Sequence, residues 1–343
     1  MSDSSGGKSR TQFLASNEDR PEDRAPITQE ALIAQAHDTL DKLVRDGASR
    51  GDIKLITTAL KELRYCFNVF SRYRTQRKIS IFGSARLPAT DPAYQAATIF
   101  AQRLATEADY MVITGAGGGI MEAGHVGSGR EKAIGINILL PFEQQSNAII
   151  DGDAKLMNLK YFFTRKLLFV KESDAVACFP GGFGTQDETF ETLTLIQTGK
   201  SHIQPVLLMD APGGDYWSRW QDYVTDVLLA RKLISVEDLS LYKVTNDIDE
   251  AIAEVLNFYR VYHSSRYVGR ELVLRLQHPL APALMEQIRS GFSDITVSGT
   301  FEQGGPSPAE GSEFPELTRL RFHFNRRNMG RLRQLIDTIN RDG

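Results

Sequence analysis

The sequence predicts an α/β fold: a Rossmann-like, doubly wound parallel sheet with an N-terminal helical extension and a small α+β appendage near the C-terminus. Two observations carry this reading. From Lys78 onward, short apolar runs of strand length alternate with stretches whose apolar residues recur at helical spacing. That order places helices on both faces of a parallel sheet. Three of the apolar runs end in glycine-bearing segments, Phe82-Gly-Ser-Ala-Arg86, Thr114-Gly-Ala-Gly-Gly-Gly-Ile120 and Pro180-Gly-Gly-Phe-Gly184. In sheets of this kind ligands bind outside the carboxyl ends of the strands, where the strand order reverses.

Taken in order, residues 1–27 are rich in Ser, Gly, Asp, Glu and Arg without apolar periodicity, the composition of a disordered tail. Residues 28–77 carry two helical patterns, one through Leu32, Ala36, Leu40 and Leu43, the other through Ile53, Ile56, Leu60, Leu63 and Phe67. Residues 78–262 form the predicted central domain. Its strands are expected at 79–82, 110–114, 133–140, 174–179 and 205–209, and its helices at 94–107, 120–130, 161–172, after the Pro180 loop, and from Tyr216. Residues 263–343 change character. A half-exposed strand at 271–277, a helix at 283–289, strands at 296–302 and 317–324 and a closing helix at 331–339 give a β-α-β-β-α order. The Gly-, Pro- and Ser-rich stretch 303–312 is expected to be a mobile loop.

With 343 residues, 41% of them hydrophobic, the chain has ample material for a sizeable core and a length that predicts two domains. Its formal charge of -3 gives no basic footprint for nucleic acid or a membrane surface, so small molecules are the expected partners. Cys66 and Cys178 are too few for a disulfide framework and read as inert thiols. No apolar run reaches spanning length and no charged-then-apolar leader opens the sequence, which makes the cytoplasm the expected location. His125, His202 and His278 lack metal-ligand spacing, so neither a metal nor a cofactor is expected. The C-terminal basic set Arg319, Arg321, Arg326, Arg327, Arg331 and Arg333 reads as a solvated face.

The most informative stretch is Cys178-Phe-Pro-Gly-Gly-Phe-Gly-Thr-Gln-Asp-Glu188, at a strand-to-helix turn. Gly181, Gly182 and Gly184 are free to take positive φ and to let backbone N–H groups approach an anion, with the helix dipole behind them and Thr185 as the expected cap. Glu188, in the first turn, adds a carboxylate within reach of whatever the loop holds. Arg165 lies 23 residues earlier, on the helix leading into the loop-bearing strand, so the two can meet at one sheet edge. Backbone N–H groups of Gly115, Gly117, Gly118 and Gly119, and of Gly83 and Ser84, are further candidates for phosphate or ribose contacts.

Pro180-Gly-Gly-Phe-Gly-Thr-Gln-Asp-Glu188 resembles the PGGxGTxxE signature of the LOG family of nucleotide phosphoribohydrolases, some members of which carry a lysine decarboxylase label. Thr164-Arg-Lys166 and the two other glycine segments fall in the order that family shows, over roughly residues 78 to 210. The resemblance implies hydrolysis of the N-glycosidic bond of a nucleoside 5'-monophosphate to free base and ribose 5-phosphate, in a homodimer or higher homo-oligomer. It implies Arg165 and Glu188 as the catalytic pair, Lys166 as a phosphate or ribose partner, Glu143 as a base-side contact and Gly181, Gly182, Phe183, Gly184 and Thr185 as the substrate loop. Thr194 matches another ligand position, and Glu191 a recurring carboxylate. The sequence departs from the usual pattern at Ala116 and Phe162, and Met121-Glu122-Ala123 is closer to members acting on general nucleotides than to short cytokinin-activating forms. No local pattern supports a Schiff-base lysine for decarboxylation. The competing class is a nucleotide-binding or sensing protein without turnover, which the same phosphate loop would serve.

Overall fold

The computed structural model describes residues 28–139, 146–310 and 313–343. The tail expected at 1–27 and the candidate Glu143 therefore lie outside the described residues. Two helices open the described chain, α1 (Gln29–Arg45) and α2 (Arg50–Phe70). The Thr28 hydroxyl accepts from the Ala31 N–H at the first, and Ser49 and Asp52 form a reciprocal capping box at the second. Helix α1 buries none of its residues, whereas α2 buries Cys66, Val69 and Phe70 against the sheet.

Seven parallel strands follow: β1 (Lys78–Phe82), β2 (Met111–Thr114), β3 (Ala133–Ile138), β4 (Leu156–Leu159), β5 (Ala175–Cys178), β6 (Val206–Met209) and β7 (Lys243–Thr245). Their order across the sheet is β4-β3-β2-β1-β5-β6-β7. Every residue of β1, β2, β5 and β6 is buried, as their continuous apolar runs require of strands covered on both faces. The covering helices are α3 (Pro92–Glu107), α4 (Ile120–Lys132), α5 (Phe162–Glu172), α6 (Phe183–Gln197), α7 (Tyr216–Tyr223) and α8 (Ile248–Phe258). A π-helical turn, Val224–Leu229, continues α7. Beyond the sequence expectation, the sheet gains β4 and β7 at its two edges and α8 against its face. The order reverses between the neighbours β1 and β5, so the loops leaving them diverge and open a crevice there.

The C-terminal region holds an antiparallel sheet in the order β10-β11-β9-β8, from β8 (Tyr262–Val268), β9 (Glu271–Leu276), β10 (Glu302–Gly304) and β11 (Thr318–Phe322). Helices α9 (Pro282–Gly291) and α10 (Met329–Asp342) complete it. The order is therefore β-β-α-β-β-α. Strand β8 went unread, and the strand expected at 296–302 reduces to an isolated bridge between Thr296 and Phe324 followed by β10. Leu274, Phe322 and Ile336 share one core with Ile196 of α6, so this region and the central domain are joined by packing.

Two expectations about charge are corrected here. Arg319 and Arg333 are buried, not solvated. Arg319 is completely enclosed: its Nε lies 2.8 Å from Glu310 Oε1, and its other nitrogens donate to the carbonyls of Glu313, Phe314 and Leu317. Arg275 Nε donates to the same Glu310 oxygen at 3.0 Å. The segment expected to be a mobile loop thus sends Glu310 inward, because two buried guanidinium groups need a carboxylate there. Arg333 is paired with Glu254 and Asp337. Among the described residues, no helix is long and apolar enough to cross a membrane.

Candidate active site at the sheet crevice

The three glycine segments converge on Ser84, just beyond β1. Its N–H donates to the Pro180 carbonyl at 3.0 Å, and its carbonyl accepts from the Ile120 N–H at 2.9 Å. One residue thus ties the loop after β1 to the loops after β5 and β2. The glycines are needed mainly for close approach. A Cβ on Gly83 would lie 2.6 Å from the Ile120 side chain, and one on Gly181 would lie 2.1 Å from Thr185 Oγ1. Gly119 combines both needs, with φ of +62° and only 2.2 Å from a would-be Cβ to the Ser84 carbonyl oxygen. A Cβ on Gly118 would meet the Ala85 carbonyl oxygen at 3.5 Å, an ordinary contact.

The Pro180–Glu188 loop itself corrects two expectations. Gly181, Gly182 and Gly184 are not among the glycines with positive φ; Gly182 is extended, with φ -88° and ψ -156°. Gly182, not Thr185, is the N-cap of α6. Thr185 is in the first turn, buried, and its carbonyl accepts from the Thr189 hydroxyl at 2.7 Å. No side chain caps this helix, so the first-turn N–H groups of Phe183, Gly184 and Thr185 point along the helix axis without intrahelical partners, as an anion would require. Gly182 and Gly184 have open space where a side chain would stand, and Phe183 is 97% exposed beside them.

A buried polar network shapes the loop after β2. His125 Nε2 sits 2.9 Å from Thr114 Oγ1 and 3.1 Å from the Ile134 carbonyl, while its Nδ1 faces the Asn147 amide. Asn147 donates from Nδ2 to the Gly117 carbonyl and from its own N–H to the Ala116 carbonyl. The Ile134 carbonyl requires a proton on Nε2, leaving Nδ1 to accept from Asn147. Burial pushes the His125 pKa down to about 4, so the ring is neutral and acts as a brace. His202 donates to the Ser173 carbonyl, and His278 lies on an exposed turn. The His125–Asn147 link gives no local sequence signal, because 22 residues separate the partners.

Glu188 and Arg165 come to the same crevice. Burial pushes the Glu188 pKa up to about 7, although Lys166 and Arg165 pull the other way. Burial likewise lowers the pKa of Arg165, against the attraction of Glu188. No hydrogen bond joins the two. Arg165 instead donates from Nε to the Ile136 carbonyl at 3.0 Å, lies over the Phe169 ring, and presses its guanidinium against Gly115. A Cβ on Gly115 would fall 2.2 Å from Arg165 Nη2, so this glycine makes the space the arginine occupies.

Lys166 does not stand free for phosphate: its ammonium pairs with Asp187 at 2.8 Å and Glu191 at 2.9 Å. Burial works against its charge, but those carboxylates outweigh it and keep its pKa above the usual lysine value. Thr194 is turned away from Glu188. It lines a cavity of about 90 Å³ with Phe190, Leu193 and Trp220 on the far side of α6.

Residues 117–255 match the family model described as "Possible lysine decarboxylase". A curated protein of Oryza sativa subsp. japonica, named as a probable cytokinin riboside 5'-monophosphate phosphoribohydrolase, is 30% identical over 143 residues. The match takes in 40% of this chain and 55% of that relative, so the chain spans little more than half the relative's length. Among solved structures, the molybdenum cofactor carrier protein of Chlamydomonas reinhardtii is 17% identical, over 53% of this chain and 98% of that one, with a TM-score of 0.36. The molybdenum cofactor binding protein of Rippkaea orientalis is 19% identical, over 52% and 93%, with a TM-score of 0.35. Over residues 117–255, the stretch that carries Arg165 and Glu188, the chain is therefore similar to the LOG family, as its motifs imply.

Proposed function

We propose that the protein hydrolyses the N-glycosidic bond of nucleoside 5'-monophosphates, giving free base and ribose 5-phosphate. The observation that carries this reading is Glu188, a carboxylate poised near neutrality by burial, one turn into a helix whose N-terminus is left uncapped at the crevice. The uncapped N–H groups of Phe183, Gly184 and Thr185 take the 5'-phosphate. Glycosidic cleavage gathers positive charge on the ribose, and ionised Glu188 stabilises it. Water oxygen bonds to C1' as the C1'–N bond breaks, with the bonding pair leaving on the base nitrogen. Glu188 accepts one water proton while the remaining OH stays on C1', and that proton, relayed through solvent, neutralises the leaving base nitrogen and returns Glu188 to its ionised form. Arg165, held over Gly115 with its charge disfavoured by burial, gains most from an anionic ligand and orients the nucleotide.

Lys166 acts in this scheme through Asp187 and Glu191, keeping their charges from Glu188. The proposal includes a homodimer or higher homo-oligomer in the cytoplasm; the exposed apolar side chains of Phe162, Phe163, Leu167 and Phe183 around the site support the assembly. Thr194 would then serve the partner's site. Incubating the purified protein with AMP, GMP, CMP and N6-isopentenyl AMP should release base from at least one, seen by chromatography together with ribose 5-phosphate. Measurable binding of these nucleotides with no release from any would establish a nucleotide-binding or sensing protein without turnover instead.

A further inference from the structure

We propose that Tyr216, outside every glycine motif, is the positioning residue that locks the phosphate loop in its anion-accepting orientation; the inference rests on the phosphate assignment above. Tyr216 begins α7, after β6. Its hydroxyl donates to the Gly181 carbonyl at 2.6 Å and accepts from Gln186 Nε2, also at 2.6 Å. The hydroxyl therefore spans the loop from the peptide before the N-cap to the first turn of α6. Its ring packs edge-on against Trp217, with centroids 4.9 Å apart.

The consequence follows from peptide geometry. The Gly181 carbonyl and the Gly182 N–H belong to one planar trans peptide and point in opposite directions. A peptide between two glycines has no Cβ on either side to resist rotation, so it can flip and present its carbonyl oxygen where its N–H should be. A flipped carbonyl would set a negative dipole end against the phosphate. Holding the Gly181 oxygen on Tyr216 keeps the Gly182 N–H turned to the other side, alongside the uncapped donors of α6.

The mount is itself built for this. Asp210, buried at the end of β6, accepts from the Trp217 N–H at 2.9 Å with Oδ2, pinning the start of α7 and with it the tyrosine. Gly214 allows the tight return before α7, since a Cβ there would come within 3.1 Å of the Ala211 carbonyl oxygen and 3.2 Å of the Asp210 side chain. Loop preorganisation thus reaches the phosphate site from the neighbouring strand rather than from the motif that binds.

The test is Tyr216→Phe, which removes the hydroxyl and keeps the ring against Trp217. Calorimetric binding of ribose 5-phosphate should weaken about tenfold, the scale of one hydrogen bond. Adenosine, which lacks the phosphate, should bind as it does to the wild type, and KM for the nucleotide should rise far more than kcat falls. Unchanged ribose 5-phosphate binding in the variant would overturn the lock. Equal losses for ribose 5-phosphate and adenosine would overturn it too, as general loosening. Failure of the wild type to bind ribose 5-phosphate would instead remove the phosphate assignment beneath it.

Discussion

Two of the protein's glutamate–arginine encounters contrast in their hydrogen bonding and charge balance. In the C-terminal region Glu310 and Arg319 are fully enclosed and hydrogen-bonded, with Arg275 as a third member. Burial alone would raise the Glu310 pKa, but the hydrogen bonds from the two arginines outweigh it and hold it below the usual value. At the crevice, Glu188 and Arg165 share an enclosure without a hydrogen bond between them, and burial moves each toward its neutral form. The first set is saturated and needs nothing. The second is left electrostatically unfinished, which suits the proposed role of accepting an ionic ligand and a transition-state charge.

The largest effect expected from breaking this contrast is on turnover. Glu188→Gln should lower base release by about 10²- to 10⁴-fold, the range of a general acid–base group, while ribose 5-phosphate still binds. The same variant should be more stable. Because the folded pKa of about 7 exceeds the ordinary glutamate value of 4.5, the folded state binds the proton more tightly. That contribution to stability is present at acid pH and lost as pH rises through 7. Removing the charge should therefore add about 1–3 kcal/mol near pH 8 and almost nothing near pH 4, as read from urea unfolding.

Arg319→Met attacks the saturated set. It leaves Glu310 buried with fewer partners and should cost about 3–5 kcal/mol of stability, with turnover per folded molecule unchanged. Loss of turnover with normal unfolding would show that this ionic set belongs to the site. The smallest and sharpest perturbation is Gly115→Ala. The new methyl group must displace the Arg165 guanidinium, and a shift of that kind should cost up to about 10² in kcat/KM with stability nearly retained. Wild-type kinetics in this variant would show that Arg165 need not sit where it does.

The sequence made the crevice legible to a different extent in its different parts. Pro180–Glu188 was readable because its chemistry is local: a strand end, a turn and a carboxylate fall within the single run 178–188. The meeting of Arg165 with that loop was readable from element order, since consecutive parallel strands place their carboxyl ends on one edge. What escaped is set by tertiary contact. Lys166 looked free because Asp187 and Glu191, which hold it, are on the next helix. Arg319 looked solvated because its carboxylate comes from a Gly- and Pro-rich stretch with no pattern of its own. Strand β4, Leu-Met-Asn-Leu, is too short to declare itself and exists through its pairing with β3. The positive φ expected of the loop glycines was unnecessary, since close approach alone accounts for Gly181.

Helix α6 begins at the crevice and ends with Ile196 inside the core of the C-terminal region. Cutting the chain after residue 262 would therefore not detach a module. It would strip one wall from the helix that presents Glu188, taking the C-terminal packing away from a cluster that includes Ile196, Ile203, Val206, Leu241, Phe258, Val261 and Tyr262. A fragment ending there would have to be re-surfaced across that cluster before it could be isolated.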